Sequence, residues 1–400
     1  MARTRTGRLR RAGGLTAAVT AAVLSAATLP AHAAPEGKII GADEPGSVGG
    51  SYLVTLREGT DASSAAGKGL AARYGVRTSH VYGSVLGGYA VKANARQARL
   101  LAADSRVASV VQDSRVALDR TQRNPPSWGL DRLDQRNLPL DRKYTSPDSA
   151  GAGVTVYVID TGIRITHADF GGRASYGWDF VGGDRSAGDG NGHGTHVAGT
   201  IAGSRYGVAK KAKVVAVRVL DDAGSGTIAR VIAGIDWVTR HAHRPAVANL
   251  SLGGYHNDQL DAAVRDSIRA GVTYTVAAGN DGLPAGLYSP ADVPEAITVG
   301  ATDRSDARAA FSNFGPALDL FAPGVSITSA SSASDTARAT YSGTSMAAPH
   351  AAGAAALYLA GHRGATPAQV AKALVARAAT GEVTGAGPGS PDELLQAPAP

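Results

Sequence analysis

An aspartate, a histidine and a serine in this chain each stand in a setting suited to nucleophilic acyl chemistry. Asp160 closes the hydrophobic run Tyr157-Val158-Ile159-Asp160-Thr161-Gly162. A carboxylate there ends a buried strand and can be held by the backbone donors of a turn, although an isolated Asp-Thr-Gly reads equally well as a loop cap. His193 lies in Asn191-Gly192-His193-Gly194-Thr195-His196-Val197-Ala198-Gly199-Thr200. The glycines on either side, and the small residues after it, allow close backbone packing around an imidazole that opens a helix and can act as a base. Ser345 lies in Gly343-Thr344-Ser345-Met346-Ala347-Ala348-Pro349-His350, at the start of an Ala-rich helix running to about Leu359. The first four amides of a helix lack intrahelical acceptors, so the Ser345 N–H and the positive helix end can stabilise an oxyanion. Alone, Gly-Thr-Ser would read as an N-cap. Asn280, after Ala277-Ala278-Gly279, brings an amide just past another buried strand and offers a second oxyanion donor. Removing such a donor costs about a hundred- to a thousand-fold in turnover.

His196 follows His193 one turn later and reads as a buried structural histidine. The competing reading is a zinc peptidase with both histidines as ligands. The zincin helix, however, sets its histidines four apart around a glutamate, and here they are three apart with Gly and Thr between.

The elements that must position these residues alternate. Near-continuous β-branched runs at Val154 to Ile159, Val214 to Leu220, Ala246 to Leu250 and Val272 to Ala277 predict strands. Helical stretches fall between them at His193 to Ala202, Ile228 to His241 and Gln259 to Ala270. Strands without alternation, separated by helices, predict an α/β fold whose parallel sheet is buried on both faces. Active sites of such sheets form at the carboxyl ends of the strands, where the motifs above lie.

Tyr52 to Leu118 reads as a separate module in the order β-α-β-α-β: strand over Tyr52 to Glu58, helix over Ser63 to Tyr74, strand over Ser84 to Lys92, helix over Ala95 to Ala103, strand over Val107 to Leu118. It predicts a small α+β, ferredoxin-like unit if the middle strand region is a hairpin. The polar stretch from Asp119 to Ser127, with adjacent Pro125 and Pro126, is the natural linker and cleavage segment.

The formal net charge of +7 is concentrated at the start, where Arg3, Arg5, Arg8, Arg10 and Arg11 supply five positive charges. No basic patch interleaved with aromatics remains beyond them, which argues against nucleic-acid binding. An apolar run from Leu15 to about Leu29 follows, then Ala31-His32-Ala33. This is the pattern of a secretory signal peptide cut after Ala33, too short and Ala-rich for a membrane span, and it predicts a secreted protein with no stable membrane association. The chain has no cysteine, so stability outside the cell must come from packing and bound metal.

In the order Asp, His, Asn, Ser, these segments resemble the subtilisin family of serine proteases. Trp128-Gly129-Leu130-Asp131-Arg132, the run from Pro245 to Gly254 and Phe311-Ser312-Asn313-Phe314-Gly315 are similar to the proteinase K and aqualysin branch. The resemblance implies a subtilisin-like three-layer fold with a mainly parallel central sheet. It divides the chain into a signal peptide (1–33), an inhibitor-like propeptide domain (34–121) and a peptidase domain (122–400), cut between Asp119 and Arg123. It implies Asp160, His193 and Ser345 as the triad and Asn280 as oxyanion donor. Ser251, Leu252, Gly253, Gly254, Ala278 and Gly279 would line the primary specificity pocket, and Gly224, Ser225 and Gly226 would offer an edge strand to an extended substrate. Glycine-lined walls predict broad cleavage after apolar or aromatic residues. The implied partners are protein or peptide substrates and the chain's own propeptide as intramolecular inhibitor, with the mature enzyme a monomer.

The family likeness also implies structural calcium and no catalytic cofactor. One site would use the Asp319 carboxylate with the backbone carbonyls of Pro294 and Ala296. A second would use Asp131, Asp134, Gln135 and Asp141, with Lys143 where a relative would place a ligand. Aqualysin-like relatives carry disulfides, and Gly190, Asp222, Gly286 and Ala317 stand where their cysteines are expected, which predicts lower heat resistance unless packing and calcium compensate. Two other readings stand beside the protease: a catalytically silent secreted binding protein on the same fold, and an esterase sharing the acyl chemistry.

Overall fold

The computed structural model describes residues 35–42, 47–84, 86–114 and 121–398. The expected signal segment, residues 1–33, and residues 119 and 120 of the expected cleavage segment lie outside the described residues. Two units follow one another, residues up to 118 and from 119 on.

In the first unit the strands are β1 (Ser47–Leu56), β2 (Arg77–Tyr82), β3 (Gly88–Lys92) and β4 (Val107–Ser114), and the helices are α1 (Ala65–Arg73) and α2 (Ala95–Ala102). The sheet order is β2-β3-β1-β4, with the pairs antiparallel. The region expected as one middle strand is the β2–β3 hairpin, which makes the unit ferredoxin-like. β1 alternates, and its inward Tyr52, Val54 and Leu56 pack in one cluster with Leu70 and Ala71 of α1 and Ala98 and Leu101 of α2. Asn94 and Gln97 close α2 with reciprocal side-chain bonds, a capping box.

The second unit begins with β5 (Gln122–Arg123), α3 (Trp128–Leu133) and β6 (Lys143–Tyr144). It continues through β7 (Thr155–Asp160), β8 (Ala174–Asp179), α4 (His193–Ala202), β9 (Lys213–Arg218), α5 (Ile228–His241), β10 (Ala246–Leu250), β11 (Gly254–Tyr255), α6 (Asp258–Arg269) and β12 (Thr273–Ala277). The last elements are β13 (Tyr288–Ser289), β14 (Ile297–Thr302), β15 (Leu320–Pro323), β16 (Ile327–Ala330), β17 (Arg338–Tyr341), α7 (Thr344–Gly361), α8 (Pro367–Arg377), β18 (Ala379–Thr380) and β19 (Glu393–Leu394). Nine strands form one sheet in the order β18-β19-β15-β14-β12-β10-β7-β9-β8, parallel except for β18 against β19.

The run Val156-Tyr157-Val158-Ile159 shows why β7 is apolar throughout. Val156 and Val158 pack with Val197 and Ile201 of α4 and the alanines of α7 on one face. Tyr157 and Ile159 pack with Val231 and Ile235 of α5 and Leu260 and Val264 of α6 on the other. Both faces being covered, the strand has no polar side, and each fully buried aliphatic side chain contributes about 1.5–3 kcal/mol. This is the expected three-layer arrangement.

Candidate active site

Asp160 is the last residue of β7 and is fully buried. Its Oδ1 accepts the Thr161 N–H at 2.7 Å and lies 2.8 Å from His193 Nδ1. The pair meets because α4 starts within van der Waals reach of the turn after β7: a Cβ on Gly194 would stand 2.2 Å from the Gly162 carbonyl oxygen. Burial alone would lower the His193 pKa, but the attraction and hydrogen bond of the Asp160 carboxylate outweigh it, assisted by Asp189, and raise it above 6.5. Asp189 was not singled out in the sequence. It accepts from Thr161 Oγ1, from the N–H groups of Asn191, Gly192 and Thr195, and from Thr195 Oγ1, so one carboxylate fastens the N-terminus of α4 to the loop after β7. Its Asp-Gly-Asn-Gly surroundings, just before a helix, were the available signal.

His196 points elsewhere. It is wholly buried, its Nε2 lies 3.0 Å from the Ile327 carbonyl oxygen, and burial lowers its pKa to about 4. It is the structural histidine expected, and the zinc reading loses its second ligand.

Ser345 lies in the first turn of α7, with Gly343 as the N-cap. Its hydroxyl donates to the Ser251 carbonyl at 3.0 Å, while the Ser251 hydroxyl donates to the Ser345 carbonyl at 2.8 Å. Ser251 is itself held by buried Asn249, whose Nδ2 donates to Ser251 Oγ at 2.9 Å and whose Oδ1 accepts from Thr275 Oγ1. Asn280 follows β12, in a loop that Asn313 fastens by donating to the Ala278 carbonyl and accepting from the N–H groups of Asp281 and Leu283. Gly279 has φ of +102°, and a side chain there would collide with Asn313, so glycine is required on both counts. A Cβ on Gly343 would lie 3.7 Å from Asn280 Nδ2, from Asn280 Oδ1 and from Ser345 N, so the Asn280 amide group and the Ser345 N–H are neighbours across Gly343.

Two adjoining cavities share Leu252, Gly253 and Gly254. One, of about 430 Å³, is lined by Ala278, Gly279, Asn280 and Ser345. Asp281 is its only charged lining residue and is exposed. Tyr255 and Tyr288, stacked 5.6 Å apart at this cavity, were not anticipated. The other cavity, of about 470 Å³, is lined by His193, Gly224 and Gly226 together with Leu220, Ile228 and Val231. Ser225 does not line it: its N–H donates to Asp221 Oδ1 and its carbonyl accepts the Asp221 N–H, so this segment forms a loop closed by Asp221.

The expected calcium ligands divide. Asp319 accepts the Thr298 N–H at 2.8 Å, and burial raises its pKa to about 6. A carboxylate stripped of water in this way fits a hard cation. In the second set, Asp131 accepts from the N–H groups of Arg142 and Lys143, Gln135 Oε1 accepts the Asp141 N–H, and Asp141 pairs with Lys143 Nζ at 3.0 Å. Only Asp134 Oδ1 is buried without a hydrogen-bond partner, so the set as it stands does not fit a calcium cage. The positions expected to carry the relatives' cysteines are neighbours: a Cβ on Gly286 would lie 4.0 Å from Ala317 Cβ, and one on Gly190 would meet the Asp222 carboxylate.

The subtilase family model matches residues 151–393, and the peptidase inhibitor I9 model matches residues 51–119. An extracellular serine proteinase of a Thermus species is 48% identical over 408 residues, which cover 96% of this chain and 99% of that one. A cuticle-degrading serine protease of Arthrobotrys oligospora is 47% identical over 292 residues, 71% of either chain. Among solved structures, a cold-adapted subtilisin-like serine proteinase aligns with a TM-score of 0.66 at 53% identity, covering 68% of this chain and 98% of that one.

Proposed function

This chain belongs to the subtilase family and is a subtilisin-like serine endopeptidase preceded by an I9-type inhibitor domain, and from that premise we propose that Asp160, His193 and Ser345 are its catalytic triad. The observation that carries this assignment is the 2.8 Å contact between His193 Nδ1 and the fully buried Asp160, beside the cleft on which Ser345 opens. Asp160 holds the Nδ1–H tautomer, leaving Nε2 as the base. Ser345 Oγ attacks the peptide carbonyl as its proton passes to Nε2. The Ser345 N–H and Asn280 Nδ2 hold the oxyanion, and the imidazolium then returns the proton to the leaving amine. Water hydrolyses the acyl-enzyme by the same route, regenerating the Ser345 hydroxyl.

In this reading the cavity of about 430 Å³ takes the side chain before the scissile bond, and its glycine and alanine walls favour apolar or aromatic residues. Gly224 and Gly226, with Leu220 and Ile228, meet the residues further upstream.

The I9-type domain acts as intramolecular inhibitor, and the protease removes it itself. Thr121 Oγ1 lies 3.0 Å from Thr145 Oγ1, and Gln122–Arg123 pair with Lys143–Tyr144. These contacts tie residues 121–123 into the catalytic unit and favour a cut on the N-terminal side of Thr121. No described helix is long and apolar enough to cross a membrane, and the Thermus relative is named extracellular, which supports a secreted enzyme. Calcium held by Asp319 and the carbonyls of Pro294 and Ala296 would supply structural charge neutralisation for the buried carboxylate.

The test is the intact mass and N-terminal sequence of the secreted protein, wild type beside Ser345→Ala. The reading requires a wild type that has lost its first unit and a mutant that keeps it. Identical processing of both would remove self-cleavage, and failure of the wild type to degrade casein would leave only esterase or binding functions.

A further inference from the structure

The link between β11 and α6, the first turn of α6 and the segment after β13 bring together His256, Asp261 and Asp292. Their ligand atoms all lie within 4.8 Å of one another, the one such group of three among the described residues. His256 Nδ1 is 2.5 Å from Asp292 Oδ2 and 3.5 Å from Asp261 Oδ2. The site has depth: the Asp261 side chain is 2% exposed, and its Oδ1 is buried without a hydrogen-bond partner. It also has an entrance, since the His256 side chain is 53% exposed.

We propose that His256 Nδ1 and the carboxylates of Asp261 and Asp292 form a binding site for a divalent cation of the zinc class. Three considerations select that chemistry. Ligands about 2.0–2.2 Å from a tetrahedral ion stand roughly 3.3 Å from one another. The 3.5 Å spacing to Asp261 already matches, and the 2.5 Å hydrogen bond to Asp292 needs to open by less than an ångström. An imidazole ligand selects a borderline metal over calcium, which takes oxygen donors. The outer partner is also in place: His256 Nε2 lies 3.1 Å from Asp258 Oδ1, so when an ion takes the place of the Nδ1 proton now bonded to Asp292, the proton left on Nε2 is held by a carboxylate. This is the carboxylate–histidine–metal arrangement that fixes tautomer and ring orientation.

The unpartnered Asp261 oxygen is the observation that a proton shared among these groups leaves unexplained. One imidazolium faces both Asp261 and Asp292 and cannot neutralise the two carboxylates together, whereas a 2+ ion does. The Ser289 hydroxyl accepts the Asn257 N–H at 2.7 Å, so the same junction joins the start of α6 to the strand carrying Tyr288 and Ser289. Both of those residues line the cavity that holds Ser345. A bound ion therefore cross-links two walls of that cavity without touching Ser345.

The secreted protein, silenced with a serine-directed sulfonyl fluoride and kept in calcium, is titrated with zinc chloride by isothermal titration calorimetry. One equivalent should bind in the wild type, weaken at least 100-fold in His256→Gln, and weaken about 10- to 100-fold in Asp258→Asn, which leaves every ligand in place. Unchanged calcium with added zinc bound shows the metal preference. If the wild type takes up no zinc, or if His256→Gln binds the same equivalent with the same affinity, the site does not exist. His256 is exposed, and retention of the wild-type melting temperature in metal-free buffer verifies that the variant is folded.

Discussion

Thr344 grips Asn280 twice, its backbone N–H and its hydroxyl both donating to Asn280 Oδ1, at 2.8 and 2.9 Å. The same hydroxyl accepts the Gly279 N–H at 3.1 Å. With its oxygen held by two donors, the amide is fixed in one orientation, and Nδ2 is the atom left to donate. In its proposed role as oxyanion donor, Asn280→Ala should lower kcat by about 10² to 10³ with little change in KM, the loss that follows removal of one oxyanion-hole donor. Thr344→Val keeps the backbone donor and removes the hydroxyl, so a smaller fall of about tenfold is expected. Steady-state kinetics on a peptide anilide checks both, and a Thr344→Val enzyme with unchanged kcat would show that the backbone N–H alone orients the amide.

The activity should have an acid limb set by His193. Burial would lower its pKa, but Asp160 raises it above 6.5, and the base must be neutral to take the Ser345 proton. The rate therefore falls as pH drops through that raised value. Asp160→Asn removes the cause: the limb should move to lower pH while kcat falls by about 10⁴, as in other serine proteases. Stability runs the other way. A raised histidine pKa means the proton stabilises the fold below 6.5, a contribution lost as pH rises through the folded value. Profiles of kcat/KM against pH for the two proteins decide it, and coincident acid limbs would remove Asp160 as the cause.

The proposed triad could be picked out in the sequence because each member sits at a strand or helix end that periodicity reveals: Asp160 closes an apolar strand, His193 opens α4 and Ser345 lies in the first turn of an Ala-rich helix. The strands β8, β14 and β15 could not, since Gly177 and Gly300 interrupt the first two and Pro323 ends the third. Their pairing is set by neighbours in the sheet, which local propensity does not encode. The supporting residues escaped for a related reason. Asp189, Asn249, Asn313 and Thr344 act through hydrogen bonds to chain segments up to 65 positions away, as between Thr344 and Gly279, and polar loop residues carry no period that marks such partners.

Calcium removal should destabilise the enzyme in a pH-dependent way. Burial raises the Asp319 pKa to about 6, so without a cation the folded state favours the protonated acid, and this contribution is lost as pH rises through that value. Calcium needs the ionised carboxylate, so its stabilisation is full above pH 6 and fades below it. At a hundredfold excess over Kd it amounts to about 2.7 kcal/mol, or several degrees in Tm. Melting with and without chelator at pH 8 and pH 5 checks this. The difference should be larger at pH 8, and Asp319→Asn should abolish this site's share; an unchanged melting curve on chelation would remove calcium as compensation for missing disulfides.

Of the two position pairs where the resemblance leads one to expect disulfides, one has the spacing to accept a bridge. A Cβ on Gly286 would lie 4.0 Å from Ala317 Cβ, inside the 3.5–4.5 Å range of disulfides, roughly. The segments are already docked by the Ala285 N–H donating to the Phe314 carbonyl at 2.8 Å, so little rearrangement is required. Gly286 has no positive φ that would resist a side chain. At the other pair of positions, Asp222 instead accepts from Arg218 Nη2 at 2.7 Å, with its side chain 68% exposed. Such an exposed pair contributes about 0–1 kcal/mol and does not replace a covalent link. The double variant Gly286→Cys/Ala317→Cys closes a loop of some thirty residues, for which chain entropy gives an upper value of about 3–4 kcal/mol. The oxidised variant should therefore melt several degrees above its reduced form and above the wild type, with the reduced form close to the wild type. A disulfide that forms, by mass, yet leaves Tm unchanged would mean that unfolding begins without separating these two segments.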